Sequence, residues 1–181
     1  MAEGAAMLIL EEYEHAKSRG AKILGEICGY GNTCDAYHIT APHAEAVGAA
    51  NAIRLALEEA GWQGEKLYIN AHGTGTPMND KVETLAIKKA MGEAAARAAL
   101  ISSTKSMTGH MLGAAGAVEA ITCALALKHG VVPPTIHLTQ PDPECDLNYV
   151  PNAAVKAEIQ IAVSSSLGFG GHNAVVALRK L

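Results

Sequence analysis

The sequence predicts an α/β fold, a mixed β-sheet covered by helices on both faces. Three observations predict it. Short apolar runs alternate with stretches of helical periodicity along most of the chain. The last two runs are separated only by a glycine-rich turn, which makes them an antiparallel pair and the sheet mixed. One long helical stretch, Leu112–Lys128, carries almost no charge and therefore asks for burial nearly all round.

The elements follow in order. Met7–Leu10 is a short apolar run expected to be a buried strand, and Glu12–Ser18 a short helix stopped by Gly20. Lys22–Tyr30 alternates as a second strand, and the polar stretch Asn32–Pro42 is expected to be loop. His43–Ala60 places Val47, Ala50, Ile53, Leu57 and Ala60 at helical spacing. Leu67–Ala71 is a strand, Asp80–Met91 a helix through Val82, Leu85 and Ala86, and Leu100–Ser103 a further strand. After the apolar helix, Pro133-Pro134 ends the region and Pro141–Pro151 is loop. Ile159–Ser166 and Asn173–Leu178 are the closing strands around Gly168–Gly171. There is no repeat, low-complexity tract or linker, so residues 1–181 are expected to form one unit.

Composition bounds the function. The chain has 181 residues, 49% of them hydrophobic and 18% charged, enough to fold around a core. A formal net charge of −4 argues against nucleic acid or an anionic membrane as partner, and aromatic residues at 4% leave few stacking platforms. Thirty-four alanines and 18 glycines let helices and sheet approach closely. The four cysteines, Cys28, Cys34, Cys123 and Cys145, show no C-x-x-C spacing and are expected as reduced, mostly buried thiols. Without an apolar span or a basic leader, the expectation is a cytoplasmic protein.

Three segments combine reactive side chains with glycines at expected strand ends, where open α/β sheets gather their sites. In Asn70–Asp80 (NAHGTGTPMND), His72 is followed by glycines that permit close backbone approach and by the hydroxyls of Thr74 and Thr76. In Ser102–Glu119, Lys105 lies among small polar residues and His110 stands at the start of the apolar helix. There the helix dipole disfavours imidazolium and keeps a neutral donor for a developing oxyanion. Gly109, Gly113 and Gly116 suggest close packing or a channel beside this helix. Glu119, its only acid, requires a partner such as Lys105 if buried. In Ser164–Asn173, Phe169 is the only phenylalanine of the chain, inside a Gly168–Gly171 turn able to aim N–H groups at one oxygen. Each segment alone reads more readily as a plain turn or cap. No G-x-G-x-x-G, Walker A, H-E-x-x-H or G-x-S-x-G pattern occurs. His15, His38, His43, His129 and His137 have no partner spacing and are expected on the solvated surface.

Taken together and in order, HGTGTP, STKSMTGH, GAAGAVE and GFGG resemble the C-terminal half of a β-ketoacyl-acyl-carrier-protein synthase of the synthase II type. That family comprises condensing enzymes of fatty-acid synthesis with the thiolase fold. The resemblance runs over nearly the whole chain, with residues 1–20 similar to the end of the family's first half. It implies a mixed five-stranded sheet with helices on both faces. It further implies that His72 and His110 hold the thioester carbonyl of malonyl-carrier protein, and that Lys105 positions the pair with Glu119 nearby. Thr74 and Thr76 would bind the phosphopantetheine arm, and Phe169 and Gly170 would shape the acyl pocket and oxyanion hole. Asp80 is a further supporting acid.

In some members a cation is held by residues matching Asn70, Glu119 and Ser164. This sequence departs from the pattern beside them, with Ser165 where asparagine is usual and Leu167 where phenylalanine is usual, and no metal is assigned. No cofactor is expected, since the phosphopantetheine arrives on the acyl carrier protein. None of the four cysteines matches the family's nucleophile at a helix N-terminus in the first half. The resemblance therefore implies a C-terminal piece that condenses only when a first half supplies that cysteine, or that associates with itself. The alternative is a non-condensing scaffold or malonyl-decarboxylating partner resembling a chain-length factor.

Overall fold

The computed structural model describes all 181 residues. Its centre is a five-stranded sheet of order β1-β7-β6-β2-β3. The strands are β1 (Glu26–Cys34), β2 (Leu67–Asn70), β3 (Leu100–Ser102), β6 (Ile161–Gly168) and β7 (His172–Arg179). β2 runs parallel to both β3 and β6, and β7 is antiparallel to β6 and to β1, so the sheet is mixed.

Both faces are covered, and the period-two alternation of the strands decides which residue goes where. Leu67 and Ile69 of β2, Ile161 and Val163 of β6, and Val175 and Ala177 of β7 join one core cluster. The helices α2 (Val47–Glu59), α3 (Asn79–Met91) and α4 (Glu93–Ala98) close that face. The intervening Tyr68, Ala162 and Leu178 face the opposite cluster, beneath α6 (Ala115–His129). Small residues make the first layer thin. A methyl group built at Gly31 of β1 would overlap the Ala52 carbonyl oxygen of α2, so glycine is required there by lack of space.

The remaining elements are short: α1 (Tyr13–Ser18), α5 (Lys105–Thr108), a 3₁₀ turn at Leu112–Ala114, and the two-residue strands β4 (Val131–Val132) and β5 (Val155–Lys156), which pair antiparallel. The open edge of β3 is blunted where the Ile101 N–H donates to the Asn148 carbonyl at 2.9 Å. Residues 141–149 are held from outside by ion pairs. Asp146 meets Lys88 at 2.5 Å and Arg97 at 2.6 Å, and Glu144 meets Lys81. These partners hold the Asp146 carboxyl down at about 2.

Four expectations are corrected. Met7–Leu10 forms no strand: Met7, Ile9 and Leu10 are exposed, because no strand of this chain lies alongside to pair with them. Asn32–Pro42 is not wholly loop. β1 continues through Cys34, and pairing of Asn32, Thr33 and Cys34 with Ala174, Asn173 and His172 overrides their polar composition. α6 is buried on one face only, with Leu125 41% exposed, because the sheet covers only one side. All four cysteines are free, yet only Cys123 is fully buried. No helix is long and apolar enough to cross a membrane.

Candidate active site

β2, β3 and β6 run in one direction, so the segments leaving their C-terminal ends emerge on the same side of the sheet. His72 follows β2, Lys105 follows β3, and the Phe169 turn follows β6. Topology therefore brings the three sequence segments to one end, as expected for an open α/β sheet.

The two histidines meet. Their ring centroids are 5.4 Å apart and the planes cross at 85°, an edge-on arrangement. His72 is buried, and burial holds its imidazole down at about 3, with Lys105 and then His110 adding in the same direction. The His110 imidazole is also lowered, again first by burial and then by Lys105. Both rings are thus neutral near pH 7. The Nδ1 of His110 accepts the Leu112 N–H at 3.2 Å, which leaves the proton on Nε2 as a free donor.

Lys105 is buried with its Nζ 2.5 Å from the Glu119 Oε1, the partner that burial of Glu119 demanded. Burial pushes the Glu119 carboxyl up while the lysine pulls it down. Its Oε2 is buried without a hydrogen-bond partner. Asn70 and Ser164 are in register across β2 and β6, and both amide atoms of Asn70 face the Thr104 hydroxyl, at 3.2 and 3.3 Å. The carboxylate of this set is paired with Lys105 through Oε1 and its amide is engaged by Thr104, while the Glu119 Oε2 stays unpartnered.

Gly73 continues from His72 at φ +40°, and a side chain there would overlap Ser103, whose hydroxyl donates to the Gly73 carbonyl at 2.7 Å. The hydroxyls of Thr74 and Thr76 lie 3.0 Å from each other. Asp80 steadies this loop by accepting the Gly75 N–H at 3.2 Å. A cavity of about 980 Å³ opens beside this loop, lined by Thr74, Asp80, Lys105, His110, Cys145 and Tyr149 among others but not by His72 or Thr76, a size suited to a small organic ligand. The Phe169 turn stands apart from that lining. Phe169 is 78% exposed, and the Gly170 N–H donates to the Ile39 carbonyl at 2.7 Å. Gly116 lies 3.6 Å, by its virtual methyl, from the Ser166 hydroxyl and Gly113 meets open space, so neither glycine is enforced by close packing here.

One buried charged residue beside the site escaped the sequence reading. Glu83 of α3 is buried, and its two oxygens accept the N–H groups of His72 and Gly73, each at 2.8 Å. The available signal was its position: it shares a helix face with the buried Val82, Ala86 and Ile87, where a charge is out of place.

Comparison with known proteins points to one family. Residues 24–139 match the family model described as "Beta-ketoacyl synthase, C-terminal domain". The chain is 55% identical over 181 residues to a 3-oxoacyl-[acyl-carrier-protein] synthase 2 of Synechocystis, covering 99% of this chain and 43% of that one. Among solved structures, the ishigamide ketosynthase/chain length factor superposes with a TM-score of 0.87 at 47% identity, over 93% of this chain and 41% of that one. A type II polyketide synthase acyl-carrier protein in complex with its ketosynthase gives a TM-score of 0.90 at 42% identity, over 94% and 42%. The chain thus spans less than half the length of the relatives it matches. The family-model match over residues 24–139, the 55% identity along the whole chain and the thiolase-like half-sheet place this chain in the β-ketoacyl synthase family, as a bearer of its C-terminal domain.

Proposed function

We propose that this chain supplies the malonyl-activating half of a 3-oxoacyl-[acyl-carrier-protein] synthase, an acyltransferase of fatty-acid synthesis. The observation that carries the reading is the pair of neutral imidazoles, 5.4 Å apart, one of which, His110, lines a ligand-sized cavity together with Lys105 and Gly73. In the reaction, the bond between the malonyl α-carbon and its carboxylate breaks and carbon dioxide leaves. The electron pair passes into the thioester carbonyl, whose oxygen becomes an enolate. The enolate carbon then attacks an acyl thioester and expels its thiolate.

The charge that develops sits on one oxygen, and neutral N–H donors aimed at it lower the barrier without giving up a proton. His72 and His110 supply those donors. Burial first, and the charge of Lys105 after it, keeps both rings deprotonated at their basic nitrogen, and Glu119 fixes the lysine. Thr74 and Thr76 are suited to hold the phosphopantetheine arm, with Asp80 steadying their loop. In this reading Phe169 and Gly170 border the acyl side of the site. The substrates arrive on acyl carrier protein, a partner supported by the relatives' names and by the ketosynthase solved with its carrier protein.

The acyl-bearing cysteine belongs in this reading to a first half that packs against the open face of α6. The test is condensation of malonyl-carrier protein by the chain mixed with the first half of the Synechocystis synthase. We expect a carbon–carbon bond only in the mixture, and a loss of about 100- to 1000-fold for His72→Ala or His110→Ala. A retained rate in either variant sinks the assignment. Decarboxylation without bond formation in the wild-type mixture would point instead to a partner of the chain-length-factor kind.

A further inference from the structure

The two imidazoles are oriented by different means. The His110 ring is held through its own Nδ1, which accepts the Leu112 N–H. The His72 ring has no such tie: its Nδ1 is buried and without a hydrogen-bond partner. Its direction is therefore set by the main chain beneath it. That main chain is gripped by Glu83, whose Oε1 takes the His72 N–H and whose Oε2 takes the Gly73 N–H, both at 2.8 Å. Two consecutive N–H groups on two oxygens of one carboxylate fix the tilt of the intervening peptide as well as its position.

Glu83 is itself locked. The Ser165 hydroxyl of β6 donates to Oε1 at 2.6 Å, and the Asn79 amide donates to Oε2 at 3.5 Å. Glu83 is 3% exposed, and a carboxylate buried to that degree is tolerated only with a full set of donors. Burial pushes its carboxyl up, opposed by Ser165, Gly73, His72 and the charge of Lys105. A helix, a strand and the loop bearing His72 are thereby joined at a single group, and the strand's contribution comes from Ser165.

We infer that Glu83, locked by Ser165, is the positioning residue that aims His72 at His110 and hence at the reacting carbonyl. The inference rests on the function proposed above for what His72 meets, but its geometry is measurable without substrate. In the isotope-labelled 181-residue chain, NMR should show ring-to-ring contacts between His72 and His110, and slow amide exchange at His72 and Gly73. Glu83→Gln keeps the shape, removes the charge and replaces one accepting oxygen by an amino group that cannot accept. It should accelerate exchange at His72 and Gly73 by about tenfold or more. It should also abolish the inter-ring contacts, with Tyr68, Ile69 and Val163 amides unchanged. Ser165→Ala should reproduce the pattern more weakly and Ser165→Thr, which keeps a hydroxyl, should restore it; these two decide the matter if Glu83→Gln fails to fold.

Inter-ring contacts that persist in Glu83→Gln and Ser165→Ala overturn the inference. Exchange accelerated evenly across β2 and β6 overturns it too, since Glu83 would then be an ordinary support of the fold. Condensation enters none of these measurements, so their failure is distinct from failure of the His72 and His110 assignment.

Discussion

A neutral, buried imidazole has a cost that depends on pH. His72 is held at about 3, against an ordinary value of 6.5. Between those two values the unfolded chain binds a proton that the native chain refuses. Stability therefore rises with pH across this window and is lost as pH falls from about 6.5 toward about 3, by at most about 5 kcal/mol. The carboxyls of Glu83 and Glu119, both raised by burial, act in the opposite direction and reduce the net slope. The urea midpoint should fall more steeply between pH 7 and pH 5 for the wild type than for His72→Gln; equal slopes would contradict a buried neutral ring. The Lys105–Glu119 pair gives a second outcome. Lys105→Met strands a buried carboxylate and should cost about 3–5 kcal/mol by denaturant unfolding, with part recovered when Glu119→Gln is added. His72, His110, Lys105 and Glu119 were singled out in the sequence through the motifs HGTGTP, STKSMTGH and GAAGAVE that carry the resemblance, since glycines and apolar runs alone read as plain turns. Glu83 was not, because an acid within a lysine-rich helix reads as solvated, and only the burial of α3 reveals that its side chain points inward.

At the scale of elements, the sequence specifies what packing later uses, and errs where pairing is supplied from a distance. The β6–β7 hairpin was legible because alternating apolar residues flank a glycine turn. The far half of β1 was not, because Gly-Asn-Thr-Cys carries no strand signal and is extended only by its register with β7. α4 was missed, since Glu-Ala-Ala-Ala-Arg-Ala shows no apolar period over six residues. Met7–Leu10 shows the converse, a strong strand signal with no neighbour to satisfy it. The close contact of β1 with α2 yields a sharp test. Gly31→Ala forces strand and helix apart and should destabilise by about 1–3 kcal/mol in a thermal melt, whereas Gly64→Ala, where a methyl meets open space, acts only through its positive φ and should cost less. Equal losses at both positions would mean that the layer spacing is not what Gly31 protects.

At the scale of the molecule, one face of α6 and the extended residues near Met7 are apolar and open. Surfaces of that kind favour association. The chain alone should scatter light as more than a monomer or bind an apolar dye strongly, and Leu125→Glu should reduce both signals; a dye-silent wild-type monomer would show that this face needs no cover. The cavity has its own dependence on surroundings. Its wall of residues 141–149 is fastened inside by the Ile101–Asn148 main-chain bond and the contact of the Tyr149 and Thr84 hydroxyls, and outside by Lys81, Lys88 and Arg97. Exposed charge pairs are individually weak and are screened by electrolyte, whereas the inner fastenings are shielded from it. Brine therefore slackens the outer seam of that wall while the strands beneath stay shut, and the width of the binding chamber follows the ionic medium even where the fold does not.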